Sequence, residues 1–366
     1  MRILMIIDGL PGGGAEKTVL TLSSGLMEMG HQVSLFSLRK VCDYPIPEGL
    51  DYRVILDKCK KPWRKLTEIT RRARLLDDAI RQAEQSGKFD LVVSHLHKTD
   101  RIVARSRALD RNKVWFCIHG MFSFSYLLHR RGLSRWFKQK KIRYTYENRN
   151  VIAVSNAVLQ DISETMAIPL RRGAVIHNPF DISAIQRLSE EPFELQGQDY
   201  IIHVGRFHEN KRHDRLLRAY AQSKIDAPLV MMGNGSDAKI QQLEALARKL
   251  GIEDKTLFRG FVSNPYPWIK GARLLALSSD CEGFGNVLVE AIICNTPPVS
   301  TNCPGGPAEI LTGPLSRGLA DMSDAGLAKT LADIYTNPPS INGDTIASYG
   351  ISAICQQYVA LADAQK

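Results

Sequence analysis

The sequence contains no run of eighteen apolar residues, so no helix is expected to cross a membrane. Its first stretch, Arg2 to Asp8, is strand-like and runs into glycines, too short and too patterned for a secretory signal. Seven cysteines, an odd number with no Cys-x-x-Cys pair, argue against a disulfide framework or a zinc site and for buried thiols in a reducing cytoplasm. No nucleic-acid module signature is present. Acidic residues are in deficit, 38 against 48 Lys and Arg, which leaves a formal net charge of +10. That excess invites an anionic partner: nucleic acid, phospholipid or a phosphorylated substrate. Charge alone does not choose among them.

The chain has 366 residues, 44% of them apolar, enough for two domains with a core each. Its most informative stretch runs from 277 to 311. A strand, Leu274 to Ser278, ends in a polar loop carrying Glu282, and an apolar helix beginning near Asn286 carries Glu290. The Pro-Pro-Val-Ser-Thr strand then leads to a second loop, Cys303-Pro304-Gly305-Gly306-Pro307. Strand, loop, helix, strand, loop is half of a parallel α/β sheet, which binds ligands at the carboxyl ends of its strands. Two carboxylates eight positions apart would be ~12 Å apart if fully helical. That is too far to share a proton or one metal, and suits two hydroxyl-rich rings such as the ribose and hexose of a nucleotide sugar. The Gly283-Phe284-Gly285 turn lets backbone amides approach closely, and the helix start offers N–H groups to an anion.

Ser279 to Gly285, followed by Glu290-Ala291, resembles the glutamate–seven–glutamate signature of retaining GT-B glycosyltransferases of family 4. The resemblance implies an α/β chain with the GT-B architecture, two Rossmann-like domains facing across a cleft. It implies an acceptor-side domain over 1–180, a nucleotide-sugar domain over 181–345, and a C-terminal helix over 346–366 that crosses back to the first.

In the first half, Ile3 to Ile7 reads as a strand buried on both faces. The turn Gly9 to Gly14, a helix from Ala15 to Met29 and a strand from Val33 to Leu38 complete a βαβ unit. The glycines do not fit the G-x-G-x-x-G spacing, and the second strand ends at Arg39 rather than an acid. An NADP enzyme could use Arg39, so that reading stays open. In the family, the glycines corresponding to Gly13 and Gly14 lie against the donor diphosphate. Val114 to Ile118 is a strand ending at His119, and the family places a histidine there, close to the donor sugar.

Two segments concentrate the positive charge. Residues 58–82 read as a basic helix, with Lys58, Lys60, Lys61, Arg64 and Arg71 around Trp63. Residues 122–149 interleave Phe122, Phe124, Tyr126, Trp136 and Phe137 with Arg130, Arg131, Arg135, Lys138 and Lys140. Rings and cations together suit an anionic membrane surface, and equally a solvated helix over core aromatics. Single-stranded RNA would suit them too.

Residues 180–198 are polar and weakly periodic, a plausible linker. The second half restarts with a strand, Tyr200 to Gly205, and a loop holding Arg206 and Lys211. Cations at a strand-to-helix turn can clamp a diphosphate, whose developing charge they stabilise. In the family, the turn corresponding to Ser263-Asn264-Pro265-Tyr266 seats the base.

The resemblance implies an enzyme moving a hexosyl or N-acetylhexosaminyl unit from a UDP-sugar to a lipid-linked glycan, with retention. Glu290 would hold the ribose, Glu282 the hexose, Arg206 and Lys211 the diphosphate, and His119 the sugar or incoming hydroxyl. Glycine turn residues and Asn286 complete the substrate site. With no Asp-x-Asp, no metal or other cofactor is expected. Expected partners are the donor, the lipid-linked acceptor and an anionic membrane, with no nucleic acid. The expected location is cytoplasmic, peripheral on the inner face of the cytoplasmic membrane. A GT-B epimerase or phosphorylase, a non-catalytic nucleotide-sugar binder and the NADP oxidoreductase remain alternatives.

Overall fold

A computed structural model describes residues 1–60, 64–342 and 344–363. Lys61 and Trp63 of the first basic segment, and the last three residues of the expected C-terminal helix, lie outside them. The chain divides into two compact units, Met1–Phe180 with Tyr349–Lys366, and Asp181–Ser348.

The first unit is built on a seven-stranded parallel sheet: β1 (Arg2–Ile7), β2 (Gln32–Ser37), β3 (Asp51–Val54), β4 (Leu91–His95), β5 (Val114–Ile118), β6 (Asn150–Ala153) and β7 (Arg172–Val175). The order is β3-β2-β1-β4-β5-β6-β7. Ile3 to Ile7 are wholly buried, as a strand covered on both faces requires. The helix Ile351–Asp363 belongs to this unit and packs on the helix Gly14–Glu28. Their approach is close at Gly25, where a Cβ would stand 2.0 Å from Ile351 and 2.8 Å from the Cys355 sulfur. Only glycine lets these two helices touch there.

The second unit carries a six-stranded sheet: β8 (Ile201–Val204), β9 (Leu229–Met232), β10 (Thr256–Gly260), β11 (Leu274–Leu277), β12 (Pro298–Thr301) and β13 (Leu319–Ala320), in the order β10-β9-β8-β11-β12-β13. Its described pairings are all parallel. Helix ends follow local chemistry. The helix Asp237–Lys249 is capped by Ser236, carries Asp237 in its first turn and has Arg248 and Lys249 in its last, which matches the helix dipole.

Two expectations need correction, and an alternative left open is narrowed. The stretch expected to be a linker contains the helix Ile182–Leu188, whose cap is Asp181 accepting from the Ala184 amide at 2.8 Å. It packs against the helices Tyr266–Gly271 and Asn286–Ile293, so tertiary contact outweighs its weak periodicity. Among the described residues the first basic helix runs from Arg64, and Lys58 and Lys60 lie in irregular chain. The aromatic-basic segment is not one surface: Phe122 is buried, while Trp136 and Phe137 are exposed on the helix Gly132–Tyr146.

Candidate active site

In the second unit the strand order reverses between β8 and β11, the switch point where open α/β sheets bind their ligands. The loops leaving the carboxyl ends of those two strands carry Arg206 and Lys211 on one side and Glu282 on the other. Lys211 Nζ lies 2.6 Å from Glu282 Oε1, and the Ser279 hydroxyl donates to the same oxygen. Glu282 is buried and Lys211 half-buried. Arg206 is exposed and forms no ion pair among the described residues.

The loops are tied together by more than this pair. Asn210 Nδ2 donates to the Cys281 carbonyl at 2.7 Å, and the Asp280 amide donates to the Asn210 carbonyl at 2.9 Å. Arg212 and Arg215 both hold Asp280, at 3.0 and 2.7 Å. Beneath the first loop His203 donates from Nδ1 to the Ala276 carbonyl at 2.8 Å, and burial lowers its pKa to about 4. It is a neutral support for the loop.

The helix Asn286–Ile293 starts directly after Gly285, whose φ of +101° is the left-handed turn that aims the helix N-terminus. Helical geometry therefore spans only part of the interval between Glu282 and Glu290, and the fully helical separation does not apply. Glu290 accepts from the Tyr266 hydroxyl at 3.3 Å. The turn expected to seat a base and the second carboxylate are thus neighbours. Phe284 buries its side chain, so its backbone is what that turn can offer.

The loop after β12 supports the other two. Glu282 N donates to the Pro304 carbonyl at 3.0 Å. Gly305, at φ +128°, would put a Cβ 1.7 Å from the Glu282 carbonyl oxygen, so this position requires glycine.

In the first unit the switch point lies between β1 and β4. The loop after β1 runs from Asp8 to Gly13, which caps the helix beginning at Gly14. Asp8 is buried and pairs with Arg39 at 2.7 Å and Arg72 at 3.0 Å. Arg39, the residue an NADP enzyme would turn to a phosphate, is engaged by that carboxylate.

His119 follows β5, and its Nε2 is 3.1 Å from Nδ1 of His95 at the end of β4. Cys117 completes a group whose ligand-type atoms all lie within 4.8 Å of one another. Linear spacing hid this cluster, because neighbouring strands bring it together across 24 residues. Burial lowers His119 to about 4 and raises the Cys117 thiol to about 12. Both stay uncharged near neutrality.

On the helix Gly132–Tyr146, Leu133, Trp136 and Phe137 are 75%, 46% and 55% exposed. Lys140 sits 4.0 Å above the Trp136 ring. Among the described residues no helix is long and apolar enough to cross a membrane.

Residues 12–184 match the family model described as Glycosyltransferase Family 4, and residues 185–342 that described as Glycosyl transferases group 1. The N-acetylgalactosamine-N,N'-diacetylbacillosaminyl-diphospho-undecaprenol 4-alpha-N-acetylgalactosaminyltransferase of Campylobacter jejuni is 27% identical over 84% of this chain and 83% of its own. The lipopolysaccharide 1,6-galactosyltransferase of Escherichia coli is 33% identical over 37% of this chain and 38% of its own. Among solved structures, the lipopolysaccharide outer core galactosyltransferase WaaB superposes with a TM-score of 0.73 at 19% identity, covering 100% of both chains. Anabaena HepE in complex with UDP gives 0.70 at 21% identity, over 100% of this chain and 98% of that one. With two parallel Rossmann-like units and matches that together span residues 12–342, the chain belongs to family 4 of the glycosyltransferases and is an enzyme of the GT-B type.

Proposed function

We propose that the enzyme transfers a hexosyl or N-acetylhexosaminyl unit from a UDP-sugar to a lipid-linked glycan, with retention at the anomeric carbon and without a metal ion. The observation that carries this reading is the meeting of Lys211 and Glu282 at the switch point, with Glu290 on the helix that follows. A cation for a leaving diphosphate and carboxylates for sugar hydroxyls stand on one rigid loop system.

In this reading Glu290 takes the ribose hydroxyls, with the base beside Tyr266. Glu282 orients the hexose, and Arg206 and Lys211 take the diphosphate together with the amides of Gly283 to Asn286. Gly13 and Gly14 supply backbone to the diphosphate, and His119 contacts the sugar. The bond from the anomeric carbon to the diphosphate oxygen breaks, and UDP leaves with the electron pair. The acceptor hydroxyl attacks the same face, and its proton passes to the departing phosphate oxygen. Lys211, held by Glu282, and Arg206 answer the charge that builds on that oxygen.

The solved relative bound to UDP supports a uridine donor, and the Campylobacter relative's diphospho-undecaprenol acceptor supports a lipid-linked one. Exposed Leu133, Trp136 and Phe137 beside lysines and arginines support docking at the cytoplasmic membrane face.

The test is thermal stabilisation by UDP-, GDP- and ADP-sugars, with wild type beside Glu290→Ala. A donor at a hundredfold its dissociation constant should add ~2.7 kcal/mol. A shift with one UDP-sugar, lost in the variant, is expected. No shift with any nucleotide would end the reading.

A further inference from the structure

His95 ends β4 opposite Cys117 of β5. His119 is two residues beyond Cys117, just past the end of β5, and the ligand-type atoms of the three residues lie within 4.8 Å of one another. The two imidazoles meet there, Nδ1 of His95 to Nε2 of His119 at 3.1 Å. Both are neutral, since burial lowers His119 to about 4 and His95 well below its ordinary value.

A neutral imidazole carries one N–H and one lone pair, so a single bond between two of them allows only two arrangements. Either His95 donates from Nδ1 and its Nε2 is a bare lone pair, or His119 donates from Nε2 and His95 must carry its hydrogen on Nε2. Nε2 of His95 is buried with no hydrogen-bond partner among the described residues. An orphaned buried N–H is rarer than an acceptor left short of a partner. The first arrangement therefore wins, and His119 must carry its own hydrogen on Nδ1. That nitrogen makes no hydrogen bond among the described residues, and His119 is half-buried rather than enclosed.

We propose that His95 is a positioning residue that locks His119 in its Nδ1–H tautomer, so that His119 meets the donor sugar as a hydrogen-bond donor and not as a base. The proposal rests on the assignment of His119 to the sugar. Cys117 does not disturb the lock: its thiol faces the Tyr358 hydroxyl at 3.7 Å, and a neutral sulfur is a weaker acceptor of the imidazole hydrogen than the His119 nitrogen.

The experiment is a long-range proton–nitrogen NMR spectrum of the full chain with 15N-labelled histidine, assigned with His95 and His119 variants. Expected between pH 6 and 8 is a His119 with protonated Nδ1 and bare Nε2. A protonated Nε2 overturns the lock, as does stoichiometric Zn2+ uptake that removes the signals of both rings, since the cluster would then be a metal site. His95→Leu, which removes the donor, should lower kcat by about 10- to 100-fold, the range for losing a partner that orients a ligating imidazole. His95→Asn puts an amide N–H near the position of Nδ1–H and should recover most of that loss. Equal loss in both variants, with unchanged melting, would overturn positioning through this hydrogen. Full turnover in His119→Ala would instead remove the sugar assignment, while the spectrum still decides the tautomer.

Discussion

Lys211 and Glu282, 71 residues apart in sequence, form an ion pair of 2.6 Å in which the carboxylate oxygen is shared with Ser279. Glu282 is buried, so the lysine does structural work besides any contact with a diphosphate.

Removing one partner of such a pair leaves a charge stranded. Lys211→Ala is expected to destabilise the second unit by about 3 kcal/mol, near the lower end of the range for broken buried pairs because the lysine is partly exposed. The double variant Lys211→Met, Glu282→Gln should recover most of that in urea unfolding while remaining inactive. Recovery of turnover along with stability would show that the pair is structural only.

Tyr266 and Glu290 give a milder test. Tyr266→Phe removes a hydrogen bond to the carboxylate, worth about 1 kcal/mol. Donor KM should rise about fivefold with kcat unchanged, the pattern of lost uniform binding. A fall in kcat at constant KM would place Tyr266 in the transition state instead.

These two contacts show how far the sequence could be read. Strands such as Ile3 to Ile7 and Leu229 to Met232 announce themselves as short apolar runs, and Glu282, Gly285 and Glu290 lie close enough in the chain to be seen as one device. The pairing of Lys211 with Glu282 is different: it depends on β8 and β11 being neighbours, which no local pattern states. His95 carries the same signal as His119, a histidine closing an apolar strand. Only the β4–β5 register reveals that the two touch. Phe122 and Trp136 look alike in the sequence, yet one joins the core with His97 and Tyr146 and the other faces out. Composition cannot separate them, because the helix that sorts them begins only at Gly132.

The exposed face of the helix Gly132–Tyr146 predicts measurable lipid binding. Arg130, Arg131 and Arg135 replaced together by alanine should weaken partitioning onto anionic vesicles about a hundredfold, at about 1 kcal/mol per cation near the surface. Trp136→Ala with Phe137→Ala should weaken it further at high salt, where the ring contribution dominates. Hydrolysis of soluble donor should change much less in both. Unchanged, salt-sensitive co-sedimentation of the arginine variant would dispose of this surface.

The last prediction concerns acid stability of the second unit. His213 is buried with neither ring nitrogen hydrogen-bonded among the described residues, stacked on Phe207 with ring centroids 4.7 Å apart. Burial, then the neighbouring His203 and Lys211, lower it from 6.5 to about 2. The folded value lies below the unfolded one, so the unfolded chain takes up a proton first as pH falls. Stability is therefore full above pH 6.5 and declines as the pH drops below it. Between pH 6.5 and 5 one such histidine removes about 2 kcal/mol. His203, held at about 4, acts in the same direction and through the same window. His213→Phe keeps the stack on Phe207 and removes one of the two titrations. Its urea midpoint should match or exceed wild type at pH 8 and exceed it more clearly at pH 5. Parallel decline of both proteins with acid would mean that His213 is already protonated in the folded state.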